Sequence, residues 1–350
     1  KIHGSAPEDG FGYSVSSGRV NGDAYDDIIV GAYKADPTGR QDAGITCVIY
    51  GSAGMKTQGT LDTAAMTSGI TRISGSEAGD LSGWAVASGN FDNDSYSDVV
   101  IGAPEALGSK GGVYVVFGAN ALQATAAIDL NPFSADVVKI FGRSPLFKAG
   151  SAVAAGDLNG DNLHDLIIGS PRGGLNTIPE SGEVDIIFGE IGFRSRGVMY
   201  LGDTTVVNAI RLYGTTASER SGSSLAVGDV NGDGRRELYI GAPLSSPQGR
   251  SAAGAVYVVS GAANLSTKGA VGLIDTLIAT SYIQGAVAGY RYGSAVGAAD
   301  MNGDGLREVL GGIPNSAPGG RINAGGAWAI MGLNAPKVLS VNPRENGFTG

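Results

Sequence analysis

Cysteine, histidine, charge and aromatic rings are all scarce in this chain, and each shortage closes off a class of function. The one cysteine, Cys47, lies in the apolar run ITCVIYG. There is therefore no intramolecular disulfide framework, and the thiol reads as a small core residue rather than a nucleophile. Two histidines, His3 and His164, are too few for a His-rich metal centre and unpromising for acid–base chemistry. Charged residues are 16% of the chain and the formal net charge is −9, which argues against the basic patch that nucleic acid requires. No apolar run approaches the ~18–20 residues of a membrane-spanning helix. No phosphate-binding loop or dinucleotide fingerprint stands in a fitting context, and GSKGG (108–112) reads as a hairpin turn. From these absences the chain is expected not to be an enzyme.

Glycine, by contrast, is abundant at 59 residues, a composition suited to many short strands joined by tight turns. The order behind it is a repeat. Related acidic segments begin at Arg19 (RVNGDAYDD), Asn90 (NFDNDSYSD), Asp157 (DLNGDNLHD), Asp229 (DVNGDGRRE) and Asp300 (DMNGDGLRE), at spacings of 71, 67, 72 and 71 residues. A short apolar segment ending in Gly precedes each: KIHG, RISG, KIFG, RLYG and YIQG. An apolar run follows each (IIVGAY, VVIGAP, LIIGSP, LYIGAP, VLGGIP), and then a third (GITCVIYG, GGVYVVFG, GEVDIIFG, GAVYVVSG, GGAWAIMG). Runs this short, rich in Val and Ile and bounded by Gly, Pro, Asn and Asp, favour strands over helices. With the small-residue segment before each acidic cluster, such as GSAVAAG, every unit supplies four strands. The expected fold is an all-β β-propeller of four-stranded antiparallel blades, one domain over 1–350 with repeats at about 1–70, 71–138, 139–210, 211–280 and 281–350.

Within each cluster, oxygen-bearing side chains fall at positions 1, 3, 5 and 9. Alternate positions on a tight loop can point inward together, and the position-7 carbonyl can join them. Six to eight oxygens of this kind are what Ca²⁺ takes. The expected ligand sets are Asn90, Asp92, Asp94, the Tyr96 carbonyl and Asp98; Asp157, Asn159, Asp161, the Leu163 carbonyl and Asp165; Asp229, Asn231, Asp233, the Arg235 carbonyl and Glu237; and Asp300, Asn302, Asp304, the Leu306 carbonyl and Glu308. Position 12 is not Glu but Ile168 or Ile240 in the third and fourth copies, and β-type sequence follows, so a helix–loop–helix calcium site fits poorly. Bare carboxylates a few ångströms apart repel by about 1 kcal/mol per pair even at water's dielectric. Four Ca²⁺ would bring the formal charge of −9 close to neutrality. The first copy has Arg19 where an acid is expected, leaving Asn21, Asp23 and Asp27. There a guanidinium is expected to pair with the carboxylates in place of the ion.

These motifs resemble the FG-GAP repeat family, the calcium-bearing propeller blades of integrin α-subunits, with similar repeats in a glycosyl-phosphatidylinositol-specific phospholipase D and some fungal lectins. The name is visible in Phe11-Gly12 and Tyr292-Gly293, and in Gly102-Ala103-Pro104 and Gly241-Ala242-Pro243. Looser copies are Ala149-Gly150, Ser221-Gly222 and Gly169-Ser170-Pro171, and Gly31-Ala32-Tyr33 lacks the proline. The family typically closes with seven blades, whereas five are countable here. The resemblance implies Ca²⁺ between the first two strands of each blade. It also implies a non-catalytic extracellular or cell-surface role in adhesion, with a protein or glycan ligand at a loop face.

Candidate loops on that face are 34–44, 172–182, 244–254 and 315–325, carrying Arg40, Arg172, Arg250 and Arg321. A lectin is a further alternative, although aromatics are 7% and both tryptophans, Trp84 and Trp328, fall in expected strands. The termini raise another. Both KIHG (1–4) and PKVLSVN (336–342) can serve as the outer strand of the fifth blade. A surplus strand can pair with another chain, as in a structural subunit of a layer or filament.

Overall fold

The computed structural model describes residues 1–57, 59–131, 136–203, 208–331 and 338–341. Strands dominate the described residues, with short 3₁₀ turns between them. The fold is a β-propeller of five blades. By its packing the chain divides into two compact units: Lys1–Ala155 with Leu163–Ile168 and Phe188–Val207, and Gly156–Asn162 with Gly169–Ile187 and Asn208–Gly350.

The first unit holds two blades. In one, Phe11–Gly18, Asp27–Ala32, Ile45–Ile49 and Ile70–Ser74 pair antiparallel in that order. In the next, Ala85–Gly89, Asp98–Ala103, Gly112–Val116 and Val137–Phe141 do the same. The sequence shows why. The second and third strands are continuous apolar runs rather than alternating ones, and every residue of Asp98–Ala103 and Gly112–Val116 is buried, as strands covered on both faces require. Ile29, Val48 and Ile73 of one blade pack with Val99, Ile101, Tyr114 and Val116 of the next, each burial contributing about 1.5–3 kcal/mol.

The second unit repeats this with Ser224–Gly228, Glu237–Ala242, Ala255–Val259 and Thr280–Gly285. Its other blade contains Val296–Ala299, Glu308–Ile313 and Gly326–Ile330. Tyr239, Val256 and Ile283 pack there with Tyr292, Val309 and Ile330. The third repeat supplies Ala152–Gly156, Asp165–Ser170, Glu183–Ile187 and Ala209–Tyr213, its residues divided between the units. Within the second unit, Glu183–Ile187 pairs antiparallel with Ala209–Tyr213.

The structure explains the Gly of both halves of the repeat motif. An added Cβ on Gly31 would lie 2.0 Å from the carbonyl oxygen of Gly83 in the next blade. Gly83 itself has φ +85 and donates its N–H to Gly102 O at 3.0 Å. Gly102 meets Gly150, and Gly241 meets Gly293, at 2.2 and 2.1 Å in the same sense. The motif is a backbone-on-backbone joint that admits no side chain.

One feature was not foreseen in the sequence. A short parallel strand from the stretch after each blade's third strand joins the outer strand of the blade before it. Ala127–Asp129 pairs with Arg72–Ser74, Val198–Tyr200 with Lys139–Phe141, and Ala270–Gly272 with Arg211–Tyr213. Val338–Val341 joins Tyr282–Gly285 in the same way. The expectation that 336–342 could be the outer strand of the fifth blade is corrected: its described part is a lent strand on the fourth. Ile2–His3 receives a lent strand too, Leu61–Asp62, and so has the pairing of an outer strand.

Candidate metal centre

Each acidic cluster forms the loop between the first and second strands. Its shape comes from side chains folding back on their own amides, the habit of Asn and Asp in turns. Position 3 accepts from the N–H of position 5: Asn21 from Asp23 at 3.1 Å, Asn159 from Asp161 at 2.9 Å, Asn231 from Asp233 at 2.8 Å and Asn302 from Asp304 at 2.9 Å. Position 5 accepts from position 7: Asp94 from Tyr96, Asp233 from Arg235 and Asp304 from Leu306, each at 2.8 Å. The first acid is held by positions 4 and 6. Asp229 accepts from Gly232 and Gly234 at 2.6 and 3.0 Å, and Asp300 from Gly303 and Gly305 at 2.7 and 2.9 Å. Asp157 is engaged likewise by Gly160 and Asn162.

Position 9 does more than the sequence indicated. Asp98 is fully buried and accepts from Phe91 N–H at 3.1 Å and Gly118 N–H at 3.0 Å. One carboxylate thus ties the loop to the end of the third strand. Asp27 does the same with Val20 and Gly51, and Asp165 accepts from Gly189 at 3.2 Å. Burial pushes the Asp98 carboxyl up to about 7 against the pull of those amides, with Asp92 and Asp94 adding to the rise. Burial raises Glu237 to about 7 as well.

Consecutive loops are joined. The position-8 N–H bonds the position-1 carbonyl of the preceding loop: Ser97 to Arg19 at 2.9 Å, His164 to Asn90 at 2.9 Å, Arg236 to Asp157 at 3.1 Å and Arg307 to Asp229 at 2.8 Å. The position-7 side chains lie on the position-4 glycines, Tyr96 over Gly22, Arg235 over Gly160 and Leu306 over Gly232.

Among the described residues, the second loop is where three carboxylates converge: oxygens of Asp92, Asp94 and Asp98 all lie within 4.8 Å of one another. Its fourth expected side-chain ligand, Asn90, accepts instead from Asn93 N–H at 2.9 Å. In the fifth loop Glu308 is buried, accepts from Met301 N–H at 2.6 Å through Oε2, and has no hydrogen-bond partner for Oε1. An all-oxygen donor set with crowded or unsatisfied buried carboxylates fits a hard divalent cation.

Two neighbours were missed in the sequence. The Arg194 guanidinium pairs with Asp92 at 3.3 Å and Asp94 at 3.4 Å, and Gln123 Oε1 accepts from Asn21 Nδ2 at 3.0 Å. The expectation for Arg19 is corrected: it pairs with Asp26 at 3.4 Å, both side chains exposed, because position 1 of that loop faces solvent beside position 8. Trp84 is also corrected. It lies in the turn before Ala85–Gly89, its ring 4.8 and 4.9 Å from those of Tyr13 and Tyr33.

The FG-GAP repeat family matches residues 11–46, 82–116, 149–187 and 221–259, segments that run from the first strand into the third in each of the first four repeats. The chain carries four FG-GAP repeats. Phosphatidylinositol-glycan-specific phospholipase D of Bos taurus is 29% identical over 172 residues, covering 48% of this chain and 19% of that protein. The Homo sapiens counterpart is 29% identical over 190 residues, 53% of this chain and 21% of its own length. Integrin alpha-PS2 of Drosophila melanogaster is 32% identical over 181 residues, 51% of this chain and 11% of the integrin. This chain therefore matches about a fifth or less of these relatives' length. The expectation that the chain is not an enzyme is contradicted: relatives 29% identical over about half of the chain are named as a phospholipase D. The absence of a catalytic motif in the sequence could not have revealed this, because it bears only on the residues present. Among the described residues no helix is long and apolar enough to cross a membrane.

Proposed function

We propose that this FG-GAP chain is a calcium-stabilised recognition propeller acting in an extracellular or cell-surface setting. The observation carrying the cation is the buried, unsatisfied Oε1 of Glu308, supported by the convergence of Asp92, Asp94 and Asp98. A divalent ion would be held by the position-1, 3, 5 and 9 side chains of the second to fifth loops. It would neutralise carboxylates that burial otherwise drives toward protonation. Millimolar extracellular calcium saturates even weak sites of this kind. The FG-GAP repeats and the likeness to a relative named as an integrin alpha subunit support a recognition role.

The recognition face is assigned to the strand ends opposite the cation loops. Tyr13, Tyr33 and Trp84 cluster there with ring centroids 4.5–4.9 Å apart, and Tyr13 is 52% exposed. Grouped aromatics of this kind suit a glycan or protein ligand. Two of the arginines expected to serve are used internally: Arg40 pairs with Asp129 at 2.9 Å, and Arg250 donates to Gly285 O at 3.1 Å. Calorimetric titration with calcium, followed by protein and glycan panels probed with the native chain and with W84A, tests both halves. Binding that needs Trp84 and is lost with chelator is expected; ligand capture indifferent to both changes would sink the assignment.

Self-assembly is a second reading. It rests on the fifth blade, where Gly326–Ile330 has one paired edge among the described residues, and on the outer-type strand Ile2–His3. Sizing at rising concentration, with residues 1–4 deleted as control, decides it.

A further inference from the structure

The short turns after the third strands of the second, third and fourth repeats share one grammar. A buried apolar residue anchors it, Leu122 in the second repeat, Phe193 in the third and Leu265 in the fourth. The residue after the anchor varies: Gln123, Arg194 and Ser266. Where the structure shows the contacts of that residue, they are made to the acidic loop of the preceding repeat. Gln123 reaches Asn21 of the first loop at 3.0 Å. Arg194 reaches Asp92 and Asp94 of the second at 3.3 and 3.4 Å, while its guanidinium lies 4.6 Å from the centre of the Phe117 ring. The ring and the two carboxylates fix the planar cation from different sides, the arrangement that suits Arg better than Lys. The loop that Arg194 serves is also the one where three carboxylates converge among the described residues.

We propose that Arg194 is a built-in counter-ion for the second loop, and that the residue after the turn anchor sets how strongly the preceding repeat's loop takes a divalent cation. The second loop is charge-balanced by its own chain, so metal enters only when the guanidinium leaves. Ser266, at the same place in the fourth repeat, brings no charge from that turn toward the third loop. Gln123 gives the first loop a neutral partner. The repeats thereby form a graded series rather than equal sites, with the grading written one repeat downstream of the ligands. This rests on the calcium reading above.

The test uses the whole chain in three forms: native, R194S and S266R. Calcium binding is read by calorimetry, and thermal melting is read with chelator and with calcium. In R194S the second loop is expected to gain calcium affinity by about ten-fold or more, the scale set by removing one unit charge from contact with the ligands. Adding D94N to R194S should abolish that gain, which assigns it to this loop. Without metal, R194S should melt below the native chain, and calcium should restore it. S266R should lose affinity at one site. If the native chain binds calcium and R194S gains nothing, the counter-ion assignment is overturned while the calcium reading stands. If neither form binds calcium, the calcium reading fails and carries this inference with it.

Discussion

At the scale of single residues, the repeat motif reduces to glycines that let two backbones touch. Gly31→Ala would drive a methyl to 2.0 Å from Gly83 O. It is expected to destabilise the protein on the order of 1–3 kcal/mol, as overpacking does. Gly272→Ala, where nothing lies within 4 Å of the added carbon, should be neutral; denaturant midpoints of the pair check this. Asp80 offers a pH test away from the cation loops. Burial raises its carboxyl to about 6, with Glu77 adding to the rise and Lys139 and Arg40 opposing it. A folded pKa above the unfolded one means that the native state binds the extra proton. Stability from this group should therefore be largest near pH 4 and fall as pH rises through about 6. Asp80→Asn should remove roughly 1–2 kcal/mol of that slope, seen as a flatter melting temperature between pH 4 and 7. The acidic positions were legible because their offsets repeat. Arg194 was not, since it lies about a hundred residues from Asp94 in the chain and only the folded turn brings them together.

At the scale of elements, four of the strands in a repeat could be read from apolar runs between glycines, and the structure has them where the runs are. The lent parallel strand could not. Stretches such as Ala127–Asp129 are three residues long with one polar residue among them, too short for a period, and they are strands because a neighbour's open edge needs hydrogen-bond partners. The loops were readable as oxygen-rich turns, but the structural duty of position 9 was hidden, because Asp98 bonds the distant Gly118 N–H. If calcium holds these loops, Asp161→Ala should lower melting more in calcium than in chelator, where it still removes the acceptor for Asn159 Nδ2. Glu308→Gln keeps the size and the acceptor for Met301 while removing the charge. It should raise stability in chelator and blunt the response to calcium, as read by paired melts.

At the scale of the whole molecule, the fold class came from counting the repeats, and the membership from the motif that joins them. What the ends do was only half visible. Residues Val338–Val341 sit on the outer strand Thr280–Gly285 rather than extending the fifth blade. Ending the chain after Met331 should therefore speed amide exchange in Thr280–Gly285, while exchange in Asp98–Ala103 is unaltered; equal protection of Thr280–Gly285 in both forms would count against that pairing. The lending of a strand from one blade to the blade before has a further consequence. Each of the first four blades offers its successor the same edge and takes the same kind of strand in return, so neighbouring blades overlap like roof tiles. Copy number can then change by whole tiles, through duplication or loss of about seventy residues, without any new surface having to be invented.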